Sequence, residues 1–259
     1  MGFQLLPVVD VMIELYQSPI NADRFTNYMK ILQGNSPGNI SMPITYYNPM
    51  GKEFVLKKLL ELKSLRVEEV MQDTLNVINQ TLVSSNALNI KVSPALADDL
   101  GGGWTNRFTT DYDSKFNVND MYKRNFCTPL FWVSEEYSVE KIKERTADYC
   151  HRIFYRTNAP QPLTLKDHIK QEAFVANQNV FKKSQGSLGN YATLNAFYQD
   201  HKNSSSYPTI FNFLYGDSAS KELGHSAYGV REEWAGYKYA SLKEIYEREV
   251  EKQTSDLTV

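Results

Sequence analysis

The feature that most constrains the fold is the helical spacing of apolar residues between Lys52 and Val83. Leucine, isoleucine, valine and methionine recur there at intervals of three and four positions, which places them on one face of an α-helix. The pattern weakens at Ser64 and Leu65, so it predicts a long helical stretch that is broken near residue 64. The same spacing recurs over residues 8–16 and 23–32, and in several segments after Ser138.

Strand-like alternation is confined to short stretches. Residues 88–92 alternate between polar and apolar side chains, and residues 130–133 form a second candidate strand. The sequence therefore predicts a mainly α protein with a small β element (α+β), folded as a single compact helical domain over residues 1–252 with a flexible tail over 253–259. The alternative is two α lobes divided near residue 135, although no linker composition marks a boundary there.

Composition excludes several classes of protein. The 28 basic and 30 acidic residues of this 259-residue chain leave a net charge of -2, and 42% of the residues are hydrophobic. Such a balance is typical of a globular chain that buries about 70–75% of its unfolded surface. It argues against a disordered acidic chain and against a strongly basic nucleic-acid binder. We therefore expect no nucleic-acid partner.

The sequence predicts a cytoplasmic location. The first residues lack the positive charge that opens a signal peptide, and no apolar stretch approaches the length that crosses a bilayer. We therefore expect no membrane partner. Cys127 and Cys150 are too few for a disulfide framework or a cysteine-rich zinc site, and we expect free thiols, with a single bridge between them left open.

A glycine-rich loop between Asp98 and Arg107 is the first candidate site. Three consecutive glycines permit close approach of the backbone, whose N–H groups can surround an anion, and an arginine adds a two-pronged donor for a carboxylate or phosphate. The candidate ligand-binding residues are Asp99, Gly102, Trp104, Asn106 and Arg107. The loop matches neither a P-loop nor a dinucleotide-binding fingerprint, and the alternative is a turn whose aspartates cap a neighbouring element.

The second candidate site is a helical hairpin around Pro160. Asp148 and His151 lie three positions apart on the helix before it, and His168 and Glu172 lie four apart on the helix after it. Each spacing places the pair on one helix face. In an antiparallel hairpin all four lie at matching heights, as a divalent-metal site requires, and His151 and Glu172 are then candidate catalytic groups.

Helix geometry opposes the metal hypothesis. At about 100° per residue, His151 projects about 150° from the apolar stripe of its helix. A stripe packed on the neighbouring helix would point His151 away from that neighbour. The alternative is two solvated helix faces with local ion pairs. No cofactor is otherwise indicated.

Several functions therefore remain open from the sequence. The favoured one is a small-molecule-binding protein or enzyme whose polar pocket surrounds the Asp98–Arg107 loop and takes a small anionic molecule. The alternative is a non-catalytic helical interaction protein that forms a homo-oligomer. A divalent-metal protein that uses the 148–172 hairpin is the third. The residues leave open whether the protein is an enzyme.

Overall fold

The computed structural model describes residues 1–82, 88–101, 105–182 and 191–243. It confirms a mainly α protein with a small β element. The chain divides into two compact units, Met1–Ile153 and Phe154–Val259. Two compact units are compatible with one domain or with two, so the single domain over residues 1–252 stays a prediction. The predicted tail over 253–259 lies outside the described residues.

The first unit combines helices with two short parallel sheets. Its helices are α1 (Val9–Gln17), α2 (Ala22–Gln33), α3 (Glu53–Ser64), α4 (Val67–Thr81), α5 (Arg107–Phe116), α6 (Asn119–Lys123) and most of α7 (Val139–Asn158). Its strands are β1 (Gly2–Leu5), β2 (Asn89–Val92), β3 (Ala95–Ala97), β4 (Phe126–Cys127) and β5 (Leu130–Trp132). The predicted break near residue 64 is confirmed, because Arg66 adopts a left-handed conformation between α3 and α4.

The strands form a three-stranded sheet of order β1-β2-β4 and a two-stranded sheet of order β3-β5, with every pair parallel. Both sheets share one register: Val92 pairs with Cys127 and Ala95 with Leu130. Extension of this register sets Pro94 opposite Pro129. In a parallel ladder each strand donates at every second residue, and Pro129 has no N–H to donate where the next bond is due. The ladder therefore lacks one bond at Pro129, while Ser93 N and Ala95 N still donate to Cys127 O and Pro129 O, at 3.0 Å each.

Two side chains of α4 form hydrogen bonds with the backbone near the start of the chain. The Glu68 carboxylate accepts hydrogen bonds from Val8 N at 2.6 Å and Val9 N at 3.0 Å, so it satisfies donors that the first turn of α1 leaves open. The Asn79 amide pairs with both backbone groups of Phe3, at 2.8 Å each. Because β1 is an edge strand, this pairing covers backbone groups that would otherwise be exposed.

The second unit is helical over its described residues. It contains the end of α7, then α8 (Leu165–Gln178), α9 (Tyr191–His201), α10 (Tyr207–Tyr215), α11 (Asp217–Glu222) and a helical segment over 235–243. Thr164 and Asp167 form a capping box at the start of α8. The helix ends at Gln178, and Val180, two positions beyond it, is 71% exposed.

None of the helices in the described ranges is long and apolar enough to cross a membrane.

Candidate functional site

Polar side chains of the first unit meet where two parallel strands end. Asp98 and Asp99 follow β3, and Ser134 and Glu135 come shortly after β5. The carboxyl ends of parallel strands lie at the same edge of a sheet, which is where open α/β sheets commonly bind ligands. The sequence places four polar side chains at this edge.

Asp99 joins the two strand ends. Its Oδ1 accepts a hydrogen bond from Ser134 N at 3.0 Å, and its Oδ2 accepts one from Ser134 Oγ at 2.5 Å. The Arg107 Nη1 donates to Asp99 Oδ2 at 2.7 Å and to Ser134 Oγ at 2.7 Å. The structure thus brings the two charged members of the predicted loop site into direct contact.

Glu135 is the centre of the charge network. One of its oxygens accepts from Arg107 Nη2, and the other lies 2.7 Å from Arg145 Nη2 and 3.3 Å from Lys141 Nζ. Burial raises the pKa of the Glu135 carboxyl, but Arg145, Lys141 and Arg107, with a hydrogen bond from Tyr137, lower it to about 2. Glu135 is therefore ionised at neutral pH.

Tyr137 and Leu130 hold Arg145 in place. The Arg145 Nη1 donates to Leu130 O at 2.8 Å and to Tyr137 Oη at 3.2 Å. Tyr137 Oη in turn accepts from Trp132 N at 2.6 Å. Since these groups belong to β5 and the turn after it, the guanidinium is tied to the strand end.

A cavity of about 170 Å³ adjoins this network in the first unit. Its cationic lining residues are Lys115, Lys141, Arg145 and Arg152, and its acidic ones are Asp111, Glu144 and Asp148. Lys141 and Arg145 belong both to the lining and to the Glu135 network. At about 30 Å³ per water molecule, the volume corresponds to five or six waters.

Part of the cavity wall is supplied by α5. Asp111 and Lys115 form an ion pair across one helical turn, with Lys115 Nζ 2.6 Å from Asp111 Oδ2. Asp111 is buried, so its carboxylate is held where water alone cannot solvate it. The helical form of this segment brings two charged groups to the cavity.

The remaining members of the loop have structural contacts or lie outside the described residues. Asn106 caps α5, with its Oδ1 accepting from Phe108 N at 3.1 Å and Thr109 N at 3.0 Å. Asp98 Oδ1 accepts from Leu100 N at 3.0 Å and Gly101 N at 2.8 Å. Gly102 and Trp104 are not among the described residues. Ligand roles for these residues stay predictions.

The hairpin residues fall into two pairs, one in each unit. Asp148 lines the cavity of the first unit, and the negative charge on it acts on His151. In the second unit His168 Nδ1 lies 2.7 Å from Thr164 O, and Glu172 Oε1 accepts from Gln171 Nε2 at 3.2 Å. Within the described ranges no group of three or more His, Cys, Asp or Glu side chains is arranged to hold a metal ion. The divalent-metal site stays a prediction from the sequence.

The expectation of solvated histidine faces is wrong. His151 is 3% exposed and His168 is 2% exposed. Burial lowers the pKa of His151 to about 4, although Asp148 opposes the shift, and burial also lowers the pKa of His168. Both rings are therefore neutral at pH 7. The apolar stripe of α7 did not predict the burial of His151, because residues 149–153 are buried on all sides of the helix.

Glu135, Lys141 and Arg145 are the residues that sequence reasoning missed. The sequence holds one partial signal, since Glu135 lies two residues after the predicted strand over 130–133, but the strand that Asp98 and Asp99 follow was not predicted. Two acidic segments at the ends of parallel strands predict a polar edge.

Comparison with protein families, with curated proteins and with solved structures finds no significant match to this chain. Functional inference therefore depends on the geometry alone.

Proposed function

We propose that the protein binds a small polar molecule with an anionic group in the charged cavity of its first unit, as a binding protein or as an enzyme acting on that molecule. The observation that carries the proposal is a cavity lined by charges of both signs, two of whose cations, Lys141 and Arg145, also contact Glu135 after the end of β5. Lysine and arginine side chains would bind the anionic group, and the carboxylates would accept hydrogen bonds from donors elsewhere on the ligand.

The lining favours a zwitterion over a simple anion. Arg107 already contacts Asp99 and Glu135, so its charge is largely balanced within the protein. The cations of the cavity likewise stand among Asp111, Glu144 and Asp148. A ligand with both an amino and a carboxylate group complements such a lining. Each charge of the ligand then exchanges its water for a side chain of opposite charge.

The cavity volume restricts the ligand to a short molecule. Room for five or six water molecules suits a chain of about four carbons with polar ends. A series of equal length therefore tests the charge preference: 4-aminobutanoate (zwitterion), succinate (dianion), 1,4-butanediol (neutral) and 1,4-diaminobutane (dication).

Thermal unfolding of the full chain in the presence of each compound is the experiment. We expect 4-aminobutanoate to raise the melting temperature most, since a ligand at one hundred times its Kd stabilises by about 2.7 kcal/mol. Asp148→Asn removes one lining charge with little change of shape, and it should abolish the preference for 4-aminobutanoate over succinate. Asp120→Asn, at an exposed position, is the matched control. Equal effects of all four compounds would contradict the proposal.

A further inference from the structure

A second cavity, of about 470 Å³, lies in the second unit along one face of α8. Its apolar wall is formed by Tyr155, Ile169, Ala173, Phe174 and Tyr198. Phe174 lies against Tyr155, with ring centroids 5.3 Å apart. The volume falls within the range of small-molecule pockets, about 300–1,000 Å³.

Lysines border this apolar wall. Lys166 and Lys170 lie four positions apart on α8, so their side chains leave the same helix face. Among the described residues, neither ammonium group forms an ion pair. Lys243 adds a third cation, with its Nζ 5.8 Å from the Tyr198 ring centroid. The positive charge of Lys166 and Lys170 beside an apolar wall attracts an anion that also carries apolar surface.

The burial pattern of α8 supports a ligand on this face. Ala173 and Phe174 on the cavity side are only half-buried, whereas the helix buries three apolar and three polar residues elsewhere: Leu165, Ile169, Val175, His168, Gln171 and Glu172. A helix that packs solely against its own protein normally buries its apolar side chains first. Half-exposed apolar groups one helical turn beyond two lysines are therefore suited to contact with something other than water.

We propose that this groove binds an amphipathic carboxylate: an aliphatic or aromatic body along Ala173 and Phe174, with its carboxylate beside Lys166 and Lys170. One water molecule occupies about 30 Å³, so the cavity has room for about 15 groups of that size. A ten-carbon carboxylate, with 12 non-hydrogen atoms, fits that volume. The groove belongs to the second unit, so its test is independent of the polar cavity in the first.

The test uses decanoate, below its micelle concentration, and the full chain. Decanoate binding is measured by calorimetry and by displacement of the fluorescent aromatic sulfonate 8-anilinonaphthalene-1-sulfonate. We expect saturable 1:1 binding, with decanol, the neutral analogue, at least tenfold weaker. Lys166→Gln with Lys170→Gln should raise the Kd for decanoate at least tenfold. Both positions are exposed, so the double variant should fold.

Lys202→Gln with Lys221→Gln is the matched control, because it removes two lysines of the same unit that do not line the groove. We expect the control to bind decanoate like the unaltered protein. Equal weakening in both double variants would mean that net charge alone attracts the anion, and this would overturn the proposal.

Two further outcomes would also overturn it. Equal affinity for decanol and decanoate would remove any role for the lysines. Binding to vesicles of phosphatidylcholine and phosphatidylserine, without displacement of the dye by decanoate, would instead identify the face as a membrane-contacting surface.

Discussion

The Arg145 guanidinium donates to the Glu135 carboxylate over 2.7 Å, across ten positions of the chain. The same carboxylate is bonded to Arg107 and lies near Lys141. Removal of the Glu135 charge takes a carboxylate partner from Arg145, whereas Arg107 keeps its contact with Asp99. Removal of one partner is the costly way to break a largely buried ion pair.

Glu135→Gln should therefore lower the free energy of unfolding by about 2–4 kcal/mol at pH 7. The amide keeps the size of the side chain but does not neutralise Arg107 and Arg145. Urea denaturation measures the loss. Glu136→Gln, at the next and exposed position, is the control and should change the stability by less than about 0.5 kcal/mol. Similar losses in both variants would show that the network contributes little.

His151 should make the protein less stable in mild acid. Its pKa is about 4 in the folded protein, against an ordinary value of 6.5 for histidine. Between pH 4 and 6.5 the unfolded chain therefore binds more protons than the folded one. The free energy of unfolding then falls as the pH drops from 6.5 to 4, by up to about 3 kcal/mol, and changes little further from this group below pH 4.

Comparison of His151→Gln with the unaltered protein isolates this contribution. We expect the variant to lose the fall between pH 6.5 and 4 in denaturation curves recorded across that range, whatever its stability at pH 7. His201→Gln, in the second unit, controls for the replacement of a histidine as such. If the slope with pH survives in His151→Gln, another group is responsible for it.

Gly101→Ala should disturb the turn that follows β3. A Cβ at position 101 would be placed against the Asp98 carboxylate, which accepts hydrogen bonds from Leu100 N and Gly101 N. We expect a loss of about 1–3 kcal/mol, the cost of leaving buried polar groups without partners. Gly2→Ala, where a Cβ would meet open space, should have a much smaller effect. Thermal unfolding distinguishes the two.

Thr164→Val should weaken the start of α8. Valine keeps the shape of threonine but lacks the hydroxyl that accepts from Asp167 N at 3.3 Å. Loss of a helix N-cap costs about 1 kcal/mol. Thr193→Val on α9 is exposed, and as control it should be close to neutral. Amide exchange in the first turn of α8 offers a local measurement: unchanged protection there would contradict the role of the cap.

Sequence reasoning predicted the elements that carry a long periodic signal. The α3–α4 stretch, with its break after Ser64, and strands β2 and β5 follow directly from apolar spacing. It did not find β1, β3 and β4, whose two to four residues give only a weak periodic signal; β5, also short, was indicated by the apolar run over 130–133. It did not find α5 either, because a helix that buries Asp111 and Ser114 has no clean apolar stripe.

The candidate site was predicted in part. Asp99 and Arg107 are close in sequence, and their contact could be anticipated from the loop between them. The Glu135 network could not, since Arg107 and Glu135 are 28 positions apart and only the parallel pairing of β3 with β5 brings them together. The burial of His151 likewise depends on contacts around α7 that its own periodicity does not record.

The missing N–H of Pro129 has a consequence for the motions of the sheet. Proline carries no amide proton, so no fluctuation of the backbone can form the ladder bond that is due at this position. The two pairs of strands, β2 with β4 and β3 with β5, are joined here by the bonds that Ser93 N and Ala95 N donate to Cys127 O and Pro129 O, at 3.0 Å each. Exchange into heavy water should show the lowest protection at these two amides, and the protection of β3 and β5, the strands nearer Asp99 and Glu135, should change when these side chains are altered.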